Sequence, residues 1–226
     1  MEDFFPHVVF TVLGIPVRDT VISTWVMMAV VVGLAVVIGR RRPTALEMLV
    51  DFLNDTISDV MGRSAEPYLS LLGTLAIFIA AVNVIGVVPF VVSPTRDINT
   101  PLALALVVFF SVHYFGIRAK GVVGYFKDLA SPIFILPLEI VGQLSRTVSL
   151  TLRLFGNIIS TELIVAVIFA LVPLLVPLPL VGFSMFTGLL QAYIFTALAT
   201  VYIGAGLEAN EPVLSKSSSE KEETSI

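Results

Sequence analysis

Five long apolar tracts divide this chain, and they restrict its fold more than any other feature of the sequence. They cover residues 21–38, 68–92, 101–117, 133–172 and 180–207. A membrane-spanning helix needs about 20 apolar residues. With 57% hydrophobic and 13% charged residues, the chain has too few polar groups to cover a water-soluble surface. The sequence therefore predicts an all-α integral membrane protein with about five membrane-embedded helices.

Residues 45–63, between the first two tracts, show a different pattern. Apolar side chains recur at helical spacing on one side of this segment, and acidic side chains lie on the other. The apolar residues are Leu46, Leu49, Leu53, Ile57 and Val60, and the acidic ones are Asp51, Asp55 and Asp59. We predict an amphipathic helix that lies along the membrane surface with its acidic face in water.

Basic residues in the short loops predict the orientation, because such residues accumulate on the cytoplasmic side. One side carries Arg40, Arg41, Arg42, Arg63, Arg118, Lys120 and Lys127, and the other carries Arg18 and Arg96. The N-terminus is then external, and five crossings place the C-terminus in the cytoplasm. We expect a single membrane domain over residues 1–226: an external segment 1–20, a helical core 21–207 and a disordered tail 208–226 rich in Ser, Glu and Lys.

The fourth tract is too long for an upright helix. Its 40 residues would extend about 60 Å, roughly twice the hydrocarbon thickness. A break into two crossings would expose Glu139, Arg153 and the polar residues between them to lipid, so one strongly tilted helix is preferred. Pro173, Pro177 and Pro179 are expected to end it, because proline lacks an amide donor. The last two tracts would then form a long tilted hairpin.

Arg153 lies inside this fourth tract, although a guanidinium keeps its charge in proteins. At about 100° per residue, five polar residues fall within about 40° of its direction. They are Glu139, Arg146, Ser149, Asn157 and Ser160. Glu139 is about 21 Å along the axis, and Glu162 lies about 180° round the helix, so neither neutralises Arg153 locally. The charge therefore requires an anion from elsewhere or contact with water.

The fifth tract carries a second polar face, formed by Ser184, Thr187, Gln191 and Tyr202. Structural roles remain open for these residues, since hydroxyls commonly bond to backbone carbonyls of their own helix. Structural roles also remain open for Glu139 and Arg146, since either could belong to a buried ion pair that joins helices. Arg146 could instead extend its side chain to the membrane interface.

Three motifs follow one another in the last two tracts: Ser149-Leu150-Thr151-Leu152-Arg153-Leu154-Phe155-Gly156-Asn157, then Thr161-Glu162-Leu163-Ile164, then Leu190-Gln191-Ala192-Tyr193-Ile194-Phe195. This ordered set resembles subunit a of the F-type ATP synthase. Asn83 with Pro89 and the loop from Pro94 to Asn99 extend the resemblance to about residues 68–208. The first sixty residues and the tail resemble the family in layout only.

The resemblance implies a stator that lies beside a rotating ring of c subunits, with peripheral-stalk b subunits and the rest of the synthase as further partners, in a bacterial inner membrane. Each c subunit would bring one carboxylate, the missing anion, to Arg153. Two offset half-channels would carry the ion, a proton or a sodium ion, from either side. Membrane lipid would surround the chain, and we expect no nucleic acid, metal or cofactor.

By the same resemblance, Glu162 belongs to the outer half-channel, Glu139 to the cytoplasmic exit, and Asn157 and Gln191 to polar positions near Arg153. Ser184 departs from the pattern, because some members carry His or an acid there. Glu162 would then relay ions through water or through other groups. Arg146, Ser149 and Ser160 are possible accessory residues. His113 and Asp97 are also possible accessory residues. The alternative role of His113 is packing against other helices, and that of Asp97 is capping a turn.

The chain lacks the GxxxxGK[ST] loop that binds nucleotide phosphates, so we expect a transport subunit and not an enzyme. Two alternatives remain: a self-contained ion-coupled transporter or channel, which would usually show internal repeats, and a purely structural assembly subunit.

Overall fold

The computed structural model describes residues 8–12, 15–86, 94–129, 136–171 and 177–208. Within these ranges the chain forms a short β-hairpin, seven α-helices and one 3-10 turn. The strands are β1 (Val8–Val12) and β2 (Ile15–Arg18), and the turn is Pro94–Arg96. The helices are α1 (Asp19–Arg41), α2 (Pro43–Met61), α3 (Glu66–Ile85), α4 (Asn99–Lys120), α5 (Val122–Leu129), α6 (Leu136–Leu171) and α7 (Pro177–Glu208).

Five of these helices, α1, α3, α4, α6 and α7, are long and apolar enough to cross a membrane. They coincide with the five apolar tracts, and α2 coincides with the predicted surface helix. The chain is therefore a multi-pass membrane protein, and the helical membrane fold predicted from the sequence is confirmed. The antiparallel pair β1–β2 and the eight-residue helix α5 were not predicted, because elements this short give little periodic signal.

Helix α1 is longer than its apolar tract at both ends. Asp19 lies in its first turn and Arg40 and Arg41 in its last, where these charges interact favourably with the helix dipole. Two glycines with positive φ end other helices: Gly62 follows α2 at φ 67° and Gly121 follows α4 at φ 73°. A left-handed backbone at these positions favours glycine, which has no Cβ to clash.

The prolines near the hairpin turn have a different role from the one predicted. Helix α6 ends at Leu171, and Pro173 lies outside the described residues. Pro177 and Pro179 do not end α6, because they form the first turn of α7. Proline is well suited to that position, since the first amides of a helix have no acceptor within it.

Helices α6 and α7 are both too long to stand upright in a bilayer. Their 36 and 32 residues correspond to about 54 Å and 48 Å, against a hydrocarbon thickness of about 30 Å. The two helices pack against each other. A bilayer can accommodate this pair when both helices tilt strongly, as the sequence predicted.

The apolar core lies where α3 and α4 pack against the hairpin. Helix α7 contacts α2, α3, α4 and α6, and α6 also packs on α4. The largest fully buried apolar side chains are Phe195, Ile57, Leu72, Ile79, Leu150, Leu154 and Ile203. Helix α1 is mostly outside this core, because Trp25 is 64% exposed and Thr20 and Met27 are its buried residues. Its apolar surface requires lipid or another subunit around it.

Helices α3 and α7 approach each other closely at one glycine. A Cβ atom built on Gly188 would lie 2.8 Å from the Cβ of Asn83, so a larger residue at this position would force the two helices apart. The Asn83 side-chain amide donates a hydrogen bond of 2.8 Å to the Gly188 carbonyl. Small residues and interhelical hydrogen bonds are the usual means of joining helices inside membranes. Asn83 is thereby held at a fixed place beside α7.

Candidate functional site

Arg153 is exposed at the middle of α6, as the eighteenth of its 36 residues. Leu150 and Leu154 on the same helix are 2% and 0% exposed, because they pack into the core. Leu152, next to Arg153, is 54% exposed. The protein therefore presents this guanidinium on an outer surface of α6, halfway along a helix that is otherwise largely apolar.

No hydrogen bond or ion pair joins Arg153 to any residue that the structure describes. Glu139 accepts a hydrogen bond of 3.3 Å from the Gln143 amide, one turn along its own helix. Glu162 lines a cavity on another side of α6. Neither of the two acids considered from the sequence is therefore a local counter-ion for Arg153.

A polar cavity of about 30 Å³ lies between α3, α6 and α7. Its lining consists of Asn83, Gly86, Asn157, Ile158, Thr161, Glu162, Ser184 and Gly188. About 10–15 Å³ of such space suffices for one water, so this cavity has room for one or two. We call it the polar cavity. It brings together three residues singled out from the sequence, namely Asn157, Glu162 and Ser184.

Ser184 is 8% exposed, and its hydroxyl donates a hydrogen bond of 2.8 Å to the Leu180 carbonyl. The hydroxyl proton is thus used within α7, and the oxygen is left as an acceptor. Thr187 similarly donates to the Ser184 carbonyl at 3.0 Å. These bonds are the local structural role that the sequence left open for hydroxyl groups.

Gln191 is 6% exposed, and its Nε2 has no hydrogen-bond partner among the described residues. It lies one turn beyond Gly188 on α7 but outside the polar cavity. A buried amide without a partner is energetically unfavourable.

A second, smaller cavity of about 20 Å³ lies between α4, α6 and α7, and its polar lining residues are Gln143, Arg146, Thr147 and Tyr202. The Arg146 guanidinium carbon is 5.2 Å from the centre of the Tyr202 ring, a distance suited to a cation–π interaction. Arg146 is half-buried, whereas Arg153, two turns further along, is exposed. The two arginines therefore lie in different surroundings.

Glu139 is close to the short helix α5. The pKa of the Tyr125 phenol is raised above its usual value, mainly because the side chain is buried and also because the negative charge of Glu139 is nearby. His113 also packs in this region, since its ring centre is 5.9 Å from that of Tyr125. Its Nδ1 is 2.8 Å from the Phe109 carbonyl, so the proton is on Nδ1 and the ring is held against α4. This geometry corresponds to the packing role considered for His113.

Asp97 is 6% exposed and lies in the turn that precedes α4. Its Oδ1 accepts hydrogen bonds from the backbone amide of Asn99 at 3.1 Å and from the Asn99 side chain at 2.8 Å. Its Oδ2 is 3.5 Å from the Thr20 hydroxyl on α1. These bonds correspond to the turn-capping alternative and fasten the start of α1 to the start of α4.

Sequence reasoning did not place Asn83 at the site. Helical spacing gave no clue to it, because α3 has no polar stripe around this residue. The available signal was the isolated amide itself, since a polar side chain in an apolar membrane helix usually has a specific partner.

A family model described as ATP synthase A chain matches residues 21–204, from α1 to the last turns of α7. The chain is 46% identical over 206 residues to ATP synthase subunit a 2 of a Bradyrhizobium strain, which covers 88% of this chain and 92% of the relative. It is 38% identical over 213 residues to ATP synthase subunit a 1 of Hahella chejuensis, covering 90% and 91%.

A third relative, ATP synthase subunit a of Legionella pneumophila strain Corby, is 35% identical over 219 residues, covering 93% of this chain and 95% of the relative. These matches include α6 with Arg153 and Glu162, and most of α7. This chain therefore belongs to the ATP synthase A chain family.

Proposed function

We propose that this chain is the stator subunit through which protons cross the membrane sector of a rotary F-type ATP synthase. The observation that carries this proposal is Arg153, a permanent cation that is exposed at mid-helix and has no counter-ion among the described residues. An exposed charge at the bilayer centre is costly unless it meets water or an anion. A carboxylate on each subunit of an adjacent c ring supplies that anion.

The guanidinium favours the ionised form of each carboxylate that approaches it, because an opposite charge nearby stabilises the anion. A carboxyl group that arrives protonated from lipid therefore releases its proton near Arg153. The same positive charge repels cations and so blocks direct passage of protons along α6. Transport is thereby coupled to movement of the ring.

Two cavities with polar residues in their linings lie on either side of Arg153 along α6, which supports two separate half-channels. The polar cavity includes Asn157 and Glu162, on the C-terminal side of Arg153. The smaller cavity includes Gln143 and Arg146, on its N-terminal side, near Glu139. We propose that Glu162 relays protons in the outer half-channel and that Glu139 serves the cytoplasmic one. Ser149 and Ser160 share the exposed surface with Arg153, and Gln191 contributes a polar group from α7.

The proposed orientation follows the basic loops, with residues 1–20 outside and residues 208–226 in the cytoplasm of a bacterial cell, as parts of a single membrane domain. The end of α2 and the end of α7 lie close together, since the Met61 side chain is 3.7 Å from the Cβ position of Gly204. This contact supports placing the cytoplasmic surface helix and the C-terminus on the same side.

The chain itself catalyses no reaction in this proposal. Phosphoryl chemistry belongs to a separate catalytic head, and b subunits connect that head to the membrane sector. Each elementary charge that crosses releases about 2.3 kcal/mol per 100 mV of membrane potential, so several protons must cross for each ATP formed.

Purification through a tag on this chain tests the proposal against a self-contained transporter. We expect a ring of small hydrophobic subunits to purify with the chain, and the reconstituted complex to pump protons when ATP is added. Liposomes that contain this chain alone should show no coupled ion transport. A chain that purifies without a ring and transports ions alone would support the alternative.

A further inference from the structure

We propose that Asn83 holds the water molecule through which protons reach Glu162, and so takes the place of the ionisable partner that is absent at Ser184. This inference rests on the proposed function, because it assigns a role within the proposed outer half-channel. It adds a residue of α3, Asn83, to a path that was otherwise proposed from residues of α6 and α7.

Close packing and a hydrogen bond both hold Asn83 beside Gly188. The Asn83 Cβ is so near the Gly188 backbone that a Cβ built on this glycine would be 2.8 Å from it. The Asn83 Nδ2 donates a hydrogen bond of 2.8 Å to the Gly188 carbonyl. Because a carbonyl only accepts, the NH2 group must face Gly188, and the amide oxygen must point the other way.

That oxygen, Oδ1, is buried and has no hydrogen-bond partner among the described residues. Asn83 as a whole is 5% exposed. Buried amide oxygens are normally hydrogen-bonded, to protein or to an ordered water, because leaving them unpaired is costly. Asn83 also lines the polar cavity, which has room for a water. A water there would supply the missing donor.

Glu162 and Ser184 line the same cavity. Ser184 donates its proton to the Leu180 carbonyl, so it adds only an acceptor to the cavity. Asn83 is likewise an acceptor at Oδ1, but it is rigidly placed by the bond to Gly188. A water that donates one hydrogen to Asn83 Oδ1 keeps its second hydrogen and its lone pairs for Glu162 and for the next water.

The bound water passes a proton to Glu162 and is itself regenerated. A proton arrives on the bound water, which becomes hydronium while it still donates to Asn83 Oδ1. One O–H bond of the hydronium breaks, a new O–H bond forms on the Glu162 carboxylate, and neutral water remains. Asn83 itself gains and loses no proton, because a side-chain amide does not titrate in this range. Its role is to position the water.

Two substitutions separate this role from simple packing. Asn83→Asp keeps an oxygen acceptor on the same short side chain, and in its protonated form, which burial favours, its O–H replaces Nδ2 as donor to the Gly188 carbonyl. Asn83→Leu keeps a branched side chain with no polar atom. The assay uses the assembled complex in membranes stripped of the catalytic head. The initial rate of inward proton flow is measured at fixed potential and fixed internal pH, while the external pH is varied.

We expect Asn83→Leu to slow proton entry about tenfold, the factor that a single hydrogen bond of this kind carries. The flow should then saturate only at an external pH about one unit lower, since proton capture on the outer side has become limiting. Asn83→Asp should retain at least about half of the original rate. If Asn83→Leu does not assemble, Asn83→Val is measured in its place with the same expectation.

Equal loss of proton entry in the Asp and Leu variants would overturn the inference, since the contact with Gly188 would then be the whole role of Asn83. An unchanged rate and external-pH profile in the apolar variant would overturn it as well. Glu162→Gln, measured in parallel, separates this failure from failure of the proposed function. If Glu162→Gln slows entry and Asn83→Leu does not, only the inference fails; if neither slows entry, the outer path proposed here is wrong.

Discussion

Replacing Arg153 with alanine is expected to abolish ATP-driven proton pumping while the complex still assembles. Arg153 is exposed and makes no hydrogen bond or ion pair within the described part of the chain, so its removal breaks no contact that holds α6 in place. The ring carboxylates would lose their counter-charge, however, and would remain protonated as they pass. Pumping should fall by at least about 100-fold, as expected for loss of a central electrostatic group.

The measurement is acidification of liposomes that contain the purified complex, started by ATP. Arg118→Ala is a suitable control, because Arg118 is also exposed but lies in the last turn of α4. It should pump at close to the normal rate. Arg153→Lys should remain severely slowed, since an ammonium group lacks the planar fork that pairs with a carboxylate at two points. Normal pumping by Arg153→Ala would support a purely structural role for this subunit.

Replacing Glu162 with glutamine is the second large change, and it should slow proton uptake from the external side more than release on the cytoplasmic side. Glutamine has nearly the same shape and fits the polar cavity, but it does not accept and release a proton. Loss of a proton-transferring group typically costs about 100-fold or more. Flow is therefore expected to become limited by external proton concentration.

This prediction is tested by varying the pH on each side of reconstituted membranes in turn. Glu66→Gln provides a matched control, because Glu66 is an exposed acid in the first turn of α3. Glu66→Gln should change neither the dependence of proton flow on external pH nor its dependence on internal pH. Equal sensitivity to both sides in Glu162→Gln would remove Glu162 from the outer path.

The long helices could be predicted from sequence because lipid allows few alternatives. A bilayer supplies no hydrogen bonds to the backbone, so an apolar tract of sufficient length forms a helix whatever its neighbours are. The length of the fourth tract likewise predicted a tilt, since a helix of its 40 residues is about twice as long as the hydrocarbon layer is thick. The strands β1 and β2, at five and four residues, lack such a constraint.

The hairpin turn shows how position changes the meaning of a residue. Pro177 was expected to end α6 because proline disrupts a helix interior, yet it begins α7, where a missing amide donor has no cost. The sequence alone did not distinguish the two, because both positions border the same short connection.

For the candidate site, the sequence predicted only how residues of the same helix are arranged around its axis. Helical periodicity placed Glu162 on another side of α6 from Arg153, and the structure accordingly has one in the polar cavity and the other on the outer surface. It did not reveal that Asn83 on α3 lines the same cavity as Glu162, since the arrangement of neighbouring helices depends on packing. The close approach at Gly188 places Asn83 there. The pairing of Arg146 with Tyr202 was missed for the same reason.

The most direct test of the central claim is whether the surface around Arg153 contacts the ring. The chain contains no cysteine, so single cysteines can be introduced without background. Leu152→Cys, at a position 54% exposed, should form a disulfide with a cysteine placed beside the ring carboxylate, whereas Leu154→Cys, at a position 0% exposed, should not. Absence of the Leu152→Cys cross-link in a complex that assembles and pumps would contradict the claim that ring carboxylates pass Arg153.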